Sequence, residues 1–273
     1  MKELRLTQIT IYPVKSLGGI SLSSAIAEQR GLRYDRRWMI VDEQNKFITQ
    51  RENPTMALIG TRLDENGFEL FHKHFSENKI FIPFSITHGK SVRVRVWEDE
   101  CDALHWNEEA DNWLSATLNM NCKLVFMPDD TLRYVNSAYA RNKEITSFSD
   151  GFPFLIIGNE SLKDLNSKLE KPIPMNRFRP NFVFEGGDAF EEDKWVKFKI
   201  GEVNFLGAKP CERCMITTID QEDASQSKEP LKTLSKYRTK KNKVLFGQNL
   251  LTDKGGKIAV GDKLIVEEFK AEK

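Results

Sequence analysis

The chain has 273 residues, 40% of them apolar and 30% charged, with a formal net charge of +1. This is the balance of a soluble globular protein long enough for one large domain or two small ones. A dedicated nucleic-acid binder, whose basic face shifts the whole balance, is excluded, whereas a local anion site is not. No apolar run reaches the roughly 18 residues of a membrane span, and Met1-Lys2-Glu3-Leu4-Arg5 lacks the zones of a signal peptide. The expected location is the cytoplasm, with no membrane partner. Four cysteines, Cys101, Cys122, Cys211 and Cys214, are too few for a disulfide scaffold in a chain of this length and suit a reducing compartment.

In chain order, Ile9, Ile11 and Val14 predict a strand that Pro13 interrupts, with Gly18-Gly19 marking a turn. Arg37–Val41 and Lys46–Thr49 flank Asp42–Asn45 as a predicted hairpin. Val92, Val94 and Val96 alternate with Arg93 and Arg95 as in a half-buried strand. A helix is expected from Glu108 to Leu118, capped by Asn107, with Ala110, Trp113, Leu114 and Leu118 inward. A second unit is expected from residue 123, giving domains 1–122 and 123–273. It opens on a strand from Lys123 to Met127, then runs irregularly to Asp150. Phe154–Ile157 reads as a buried strand, followed by a helix capped by Asn159 with Leu162, Leu165 and Leu169 on one face. Hairpins are predicted at Gly201-Glu202 and at Gly261-Asp262. Many short strands and few helices predict a mainly β (α+β) protein, a barrel packed against an N-terminal barrel-like part.

The segment Cys211-Glu212-Arg213-Cys214-Met215-Ile216-Thr217-Thr218-Ile219 carries the chemistry. Half of a structural zinc site would need a second pair of ligands, and the closest histidines, His72 and His74, suit one solvated strand face. A thioredoxin-type pair would open a helix, but the residues after Cys214 favour a strand or extended turn. A lone thiolate ligand for a soft metal fits the neighbouring Arg213 and Lys209. Two small buried residues at a strand start fit the spacing as well, which leaves the readings open.

Other segments add a resemblance. Together with Tyr12-Pro13-Val14-Lys15-Ser16, Tyr34-Asp35-Arg36-Arg37-Trp38, Phe178-Arg179-Pro180-Asn181, Lys228-Glu229-Pro230-Leu231 and Leu245-Phe246-Gly247-Gln248-Asn249, the cysteine segment resembles the MOSC family. Within it the chain is most similar to amidoxime-reducing components and their bacterial relatives, over essentially its whole length. The resemblance implies a MOSC β-barrel beside the family's N-terminal β-barrel domain, and a molybdenum cofactor (Mo-molybdopterin) held through Cys214. It implies cofactor contacts at Lys15, Ser16, Arg36 and Arg179, with Glu212 and Arg213 flanking the ligand and Asn181 and Asn249 at lower rank. These are suitable groups for an anionic pterin: an ammonium, a hydroxyl and guanidinium forks. Gly151-Phe152 departs from the small hydroxyl pair of the relatives, and Asn249 stands where some carry an aromatic residue. The family is also associated with pyridoxal phosphate, to which no residue is assigned here. The implied activity is two-electron reduction of a small N-hydroxylated (N–OH or N–O) substrate. Plant-type iron–sulfur spacing is missing, so electrons are expected from separate ferredoxin-, flavodoxin- or cytochrome-type donors with a reductase. The alternative is a non-catalytic carrier of the cofactor or of sulfur.

Two further stretches invite function and read as surface. Glu191-Glu192-Asp193 is expected to be a solvated loop. The basic run Tyr237–Lys243 lacks interleaved aromatics and is expected to be a surface loop or a docking patch for an acidic electron donor.

Overall fold

The computed structural model describes residues 3–271, so Met1 and Lys2, part of the stretch read for a signal peptide, lie outside it. Seven strands close into a barrel in the order Phe154–Gly158, Phe182–Glu185, Leu4–Ile11, Lys263–Phe269, Trp195–Ile200, Val203–Glu212 and Lys243–Leu251, the last pairing back with the first. Phe154–Gly158 and Phe182–Glu185 run parallel, and the other pairings around the barrel are antiparallel. Closure leaves no free edge among these strands. Alternate residues point inward, so Phe154, Phe182, Phe198 and Phe205 meet at ring separations of 5.3–5.8 Å, almost without exposure.

Three smaller sheets complete the molecule. One has the order Trp38–Val41, Lys123–Phe126, Asp99–His105 and Lys90–Val96; a second joins Ile59–Leu63, Gly67–His72 and Phe75–Pro83; a third joins Gly256–Ala259, Ser24–Glu28 and Gly31–Leu32. The protein is mainly β, with three α-helices among the described residues. None of these is long and apolar enough to cross a membrane. The N-terminal strand Leu4–Ile11 lies inside the barrel, while Lys123–Phe126, read as the start of a second unit, pairs with two strands of the N-terminal part. One apolar core runs through both parts, from Leu6 and Trp38 to Phe154 and Phe205.

Local signals formed where local chemistry sufficed. The helix Glu108–Leu118 is capped by Asn107, whose Oδ1 accepts from the Ala110 N–H at 2.8 Å, and Ala110, Leu114 and Leu118 are buried. At Gly201-Glu202 the hairpin forms, with φ of 56° at Gly201 and no positive φ at Glu202, as a type II′ turn requires. Other expectations changed. Asn159 does not cap the next helix, Asn159–Asn166, but is its first residue after Gly158; the Glu192 carboxylate packs under that end, accepting from the Gly158 N–H at 3.2 Å and the Ser161 hydroxyl at 3.0 Å. Glu192 is therefore fully buried and not part of a solvated loop. Burial, helped by the adjacent Asp193, pushes its carboxyl up to about 7.

The turn at Gly261-Asp262 forms, but its arms separate. Gly256–Ala259 pairs with Ser24–Glu28, while Lys263–Phe269 joins the barrel. Leu6 takes the turn's backbone groups, donating to Asp262 O and accepting from the Gly261 N–H. The predicted Asp42–Asn45 hairpin has one regular arm, Trp38–Val41; Phe47 on the other side makes only an isolated bridge to Val41. After Cys214 the chain forms a 3-10 helix, Met215–Thr218, and not a strand. The Thr217 and Thr218 hydroxyls bond back to the Cys214 and Met215 carbonyls at 3.0 and 2.7 Å, which offsets the β-preference of the sequence.

Candidate functional site

At one end of the barrel a cavity of about 180 Å³ opens between the segment Tyr12–Ser16, the loop 149–152, the turn 177–181 and the cysteine segment. Lys15, Ser16, Arg36, Arg179, Asn181, Glu212, Arg213, Cys214 and Asn249 all line it. They come from five separate stretches of chain, which only the fold brings together.

One wall is cationic and locked to the protein. The Lys15 ammonium, 4% exposed, donates to Phe148 O at 2.8 Å and to Asp150 Oδ1 at 2.6 Å. Desolvation lowers its pKa to about 8 despite Asp150. Arg36 donates to Asp35 Oδ2 at 2.5 Å, to Asn181 Oδ1 at 3.2 Å and to Arg179 O at 3.3 Å. Asp35 is buried, and burial raises its pKa against the opposing pull of Arg36 and of the Tyr12 N–H. Asn181 engages its amide internally, donating to Thr10 O at 3.1 Å and accepting from Arg36 and the Leu155 N–H. Burial, with Arg36 nearby, lowers the Arg179 pKa to about 10, which leaves it protonated at neutral pH. Ser16, Arg36 and Arg179 all have left-handed backbone, with φ of 68°, 49° and 54°. Each such non-glycine residue costs about 1 kcal/mol or more, held here by the surrounding contacts.

The other wall carries the sulfur. Cys214 is half-buried and precedes the Met215–Thr218 turn, its carbonyl accepting from the Thr217 N–H and hydroxyl at 3.2 and 3.0 Å. Arg177 anchors that turn, donating to Thr217 O at 3.0 Å and to Asp220 at 3.0 Å. Arg213 ties two elements together, donating to Phe246 O at 2.8 Å and Phe178 O at 3.1 Å. The Glu212 carboxylate turns outward to Lys209 at 2.8 Å and Lys243 at 3.4 Å, so this residue borders the cavity without offering its charge. Asn249 sits beside Lys209 and Leu155 in the barrel register.

Sequence reasoning missed Arg51, Asp150 and Arg177. The Arg51 guanidinium lies 4.6 Å from the Trp97 ring centre and reaches Asp150 Oδ2 at 3.2 Å. Burial opposes its charge, but Asp150 and the Cys214 sulfur outweigh that and raise its pKa. Some desolvation works against the Asp150 anion although its side chain is 58% exposed, yet Lys15 and Arg51 pull its carboxyl well below the usual range. No spacing rule marks Gln50-Arg51-Glu52; only the meeting of that turn with the loop 149–152 and the cysteine segment makes Arg51 a neighbour of Cys214. Arg133 holds the loop bearing Asp150, donating to Ser147 O, Ser149 O and Asp150 O. At Gly151 a Cβ would meet no heavy atom within 4 Å, so the backbone there faces open space.

Arg51 Nη1, Arg179 Nη2 and Arg213 Nη2 are buried and lack a hydrogen-bond partner among the described residues. Buried donors are rarely left unpaired, because the desolvation cost is about 1–3 kcal/mol, more for a charge. Three unpaired guanidinium nitrogens on residues that line one cavity fit an anion bearing several acceptors, and a half-exposed thiol beside them fits a soft metal. The donor set therefore suits a pterin that carries a phosphate and a metal.

The comparisons with known proteins agree with that class. Residues 3–121 match the MOSC N-terminal beta barrel domain and residues 143–265 match the MOSC domain. The chain is 33% identical to mitochondrial amidoxime-reducing component 1 of Mus musculus and of Homo sapiens, over 93% of this chain and 80% of each relative. It is 30% identical, over 90% of its length, to molybdenum cofactor sulfurase of Oryza sativa subsp. japonica, of which it spans 32%. The chain belongs to the MOSC family. Within it, the relatives named here place it among proteins of molybdenum-cofactor chemistry.

Proposed function

We propose that the protein is a molybdenum-dependent reductase of small N-hydroxylated compounds. The observation that carries this reading is the convergence of unpaired guanidinium donors and the Cys214 sulfur on one cavity. Lys15, Ser16, Arg36 and Arg179 would hold the pterin and its phosphate, and Cys214 the metal. When bound, the molybdenum cofactor supplies the two-electron chemistry that removes oxygen from an N–OH or N–O group. Arg177 and the Thr217 hydroxyl fix the turn that presents Cys214. Asp150, held as an anion by Lys15 and Arg51, orients those cations and is an acceptor at neutral pH, not an acid. Electrons come from separate donor proteins of ferredoxin, flavodoxin or cytochrome type, and the exposed Lys240 and Lys241 offer charge for an acidic one.

Turnover of an N-hydroxylated amidine with a reduced artificial donor, lost in Cys214→Ala, is the expected result. Turnover that survives the substitution rules the mechanism out. The likeness to cofactor sulfurases favours a second reading, a carrier of the cofactor or of sulfur. It predicts bound pterin or a Cys214 persulfide by mass spectrometry, with no substrate reduced.

A further inference from the structure

Tyr12 is buried at the end of the strand Leu4–Ile11, three residues before Lys15. The guanidinium carbons of Arg36 and Arg179 lie 4.3 and 4.2 Å from the centre of its ring. Its hydroxyl donates to Pro180 O at 3.2 Å, fixing the turn that follows Arg179. Its carbonyl accepts from the Arg36 N–H at 2.8 Å, and its own N–H donates to Asp35 Oδ1 at 2.7 Å. One residue thus touches both arginines and the carboxylate that neutralises one of them. The ring has little room to shift on its outer side, because a Cβ added to Gly19 would meet Tyr12 Cε1 at 2.6 Å.

Two guanidinium groups brought together repel one another, and among the described residues only Arg36 of the two has a carboxylate partner. The aromatic ring attracts both cations, so it offsets part of that repulsion without neutralising either charge. The Nη2 of Arg179 stays unpaired. An anion with at least two negatively charged oxygens is the ligand that completes such a pair, since planar forks favour bidentate contact.

We infer that Tyr12 is a positioning residue that aligns Arg36 and Arg179 for a single phosphate or diphosphate group. The inference rests on the cofactor reading above for the identity of the natural ligand, but not for the anion site itself. The test uses the full-length chain produced in a host that cannot make the pterin, with inorganic pyrophosphate as the probe, titrated by calorimetry beside formate. Wild-type protein binds pyrophosphate in preference to formate. Tyr12→Leu weakens pyrophosphate about tenfold and formate little, and Tyr12→Phe, which keeps the ring, restores the preference. A merely structural lesion would lower both affinities alike. Should Tyr12→Leu not fold, Gly19→Ala, which crowds the ring, lowers the pyrophosphate affinity about threefold; an unchanged affinity overturns the proposal. So does a Tyr12→Leu protein that binds as wild type, or a wild type that ignores pyrophosphate. A Tyr12-dependent anion site in a protein that takes up no molybdenum from a competent host would instead overturn the cofactor reading alone.

Discussion

Along the cationic wall of the cavity, Lys15, Arg36 and Asn181 are hydrogen-bonded to buried backbone or carboxylate groups, and Tyr12 carries two guanidiniums on one ring. Along the sulfur wall, Cys214 sits half-exposed on a four-residue 3-10 turn, with Met215 next to it 43% exposed. On the function proposed above, the contrast is a division of labour. Grip on an anion demands groups whose positions are fixed before binding, so that little ordering remains to be done. A sulfur that holds a metal within reach of substrate must face open space. The strained φ values at Ser16, Arg36 and Arg179 belong to the first wall, where dense contacts hold them in place.

Removing the sulfur has the largest effect: Cys214→Ala should lower molybdenum content and turnover by more than about a hundredfold while the melting curve stays near wild type, since a half-exposed side chain contributes little packing. On the rigid wall the loss should appear in stability instead. Arg36→Ala leaves Asp35 buried without its cation and should destabilise by about 3 kcal/mol in urea unfolding, whereas Arg179→Ala should affect mainly anion binding. Equal stability losses in the two variants would erase the distinction.

Lys15 gives the comparison a pH axis. Its folded pKa of about 8 lies below the ordinary 10.5, so the ammonium is lost as pH rises through about 8. Pyrophosphate affinity should fall about tenfold between pH 7 and 9.5, and Lys15→Arg, which stays charged, should flatten that profile. The sign for stability is opposite: the unfolded chain binds the extra proton between about 8 and 10.5, so folding gains from that group as pH rises. The smallest effect is expected at the sulfur wall's own support. Thr217→Val removes the hydroxyl bond to Cys214 O and should cost about 1 kcal/mol by thermal unfolding, with anion binding unchanged.

Much of the site was legible because the resemblance rests on short contiguous motifs: Lys15-Ser16, Arg36, Arg179 and Cys214 each sit inside one. The helix Glu108–Leu118 was legible for a simpler reason, a cap and a 3.6-residue period that need no distant partner. Arg51 and Asp150 were not, since their roles exist only where two loops distant in sequence meet. Glu192 misled because three consecutive acids look solvated, and only the folded chain places the middle one under the end of a helix. At Gly261 the turn signal was correct, but a turn does not dictate that its arms pair with each other, and here the N-terminal strand claims its backbone. The Thr217 and Thr218 hydroxyls likewise offset a β-preference that composition alone suggests.

The most direct test is diffraction at the molybdenum absorption edge from crystals of protein made in a cofactor-competent host. One anomalous peak is expected within bonding distance of Cys214 Sγ, with the pterin's phosphate against Arg36 and Arg179. A metal bound elsewhere, or density for the pterin phosphate remote from both arginines, would contradict it.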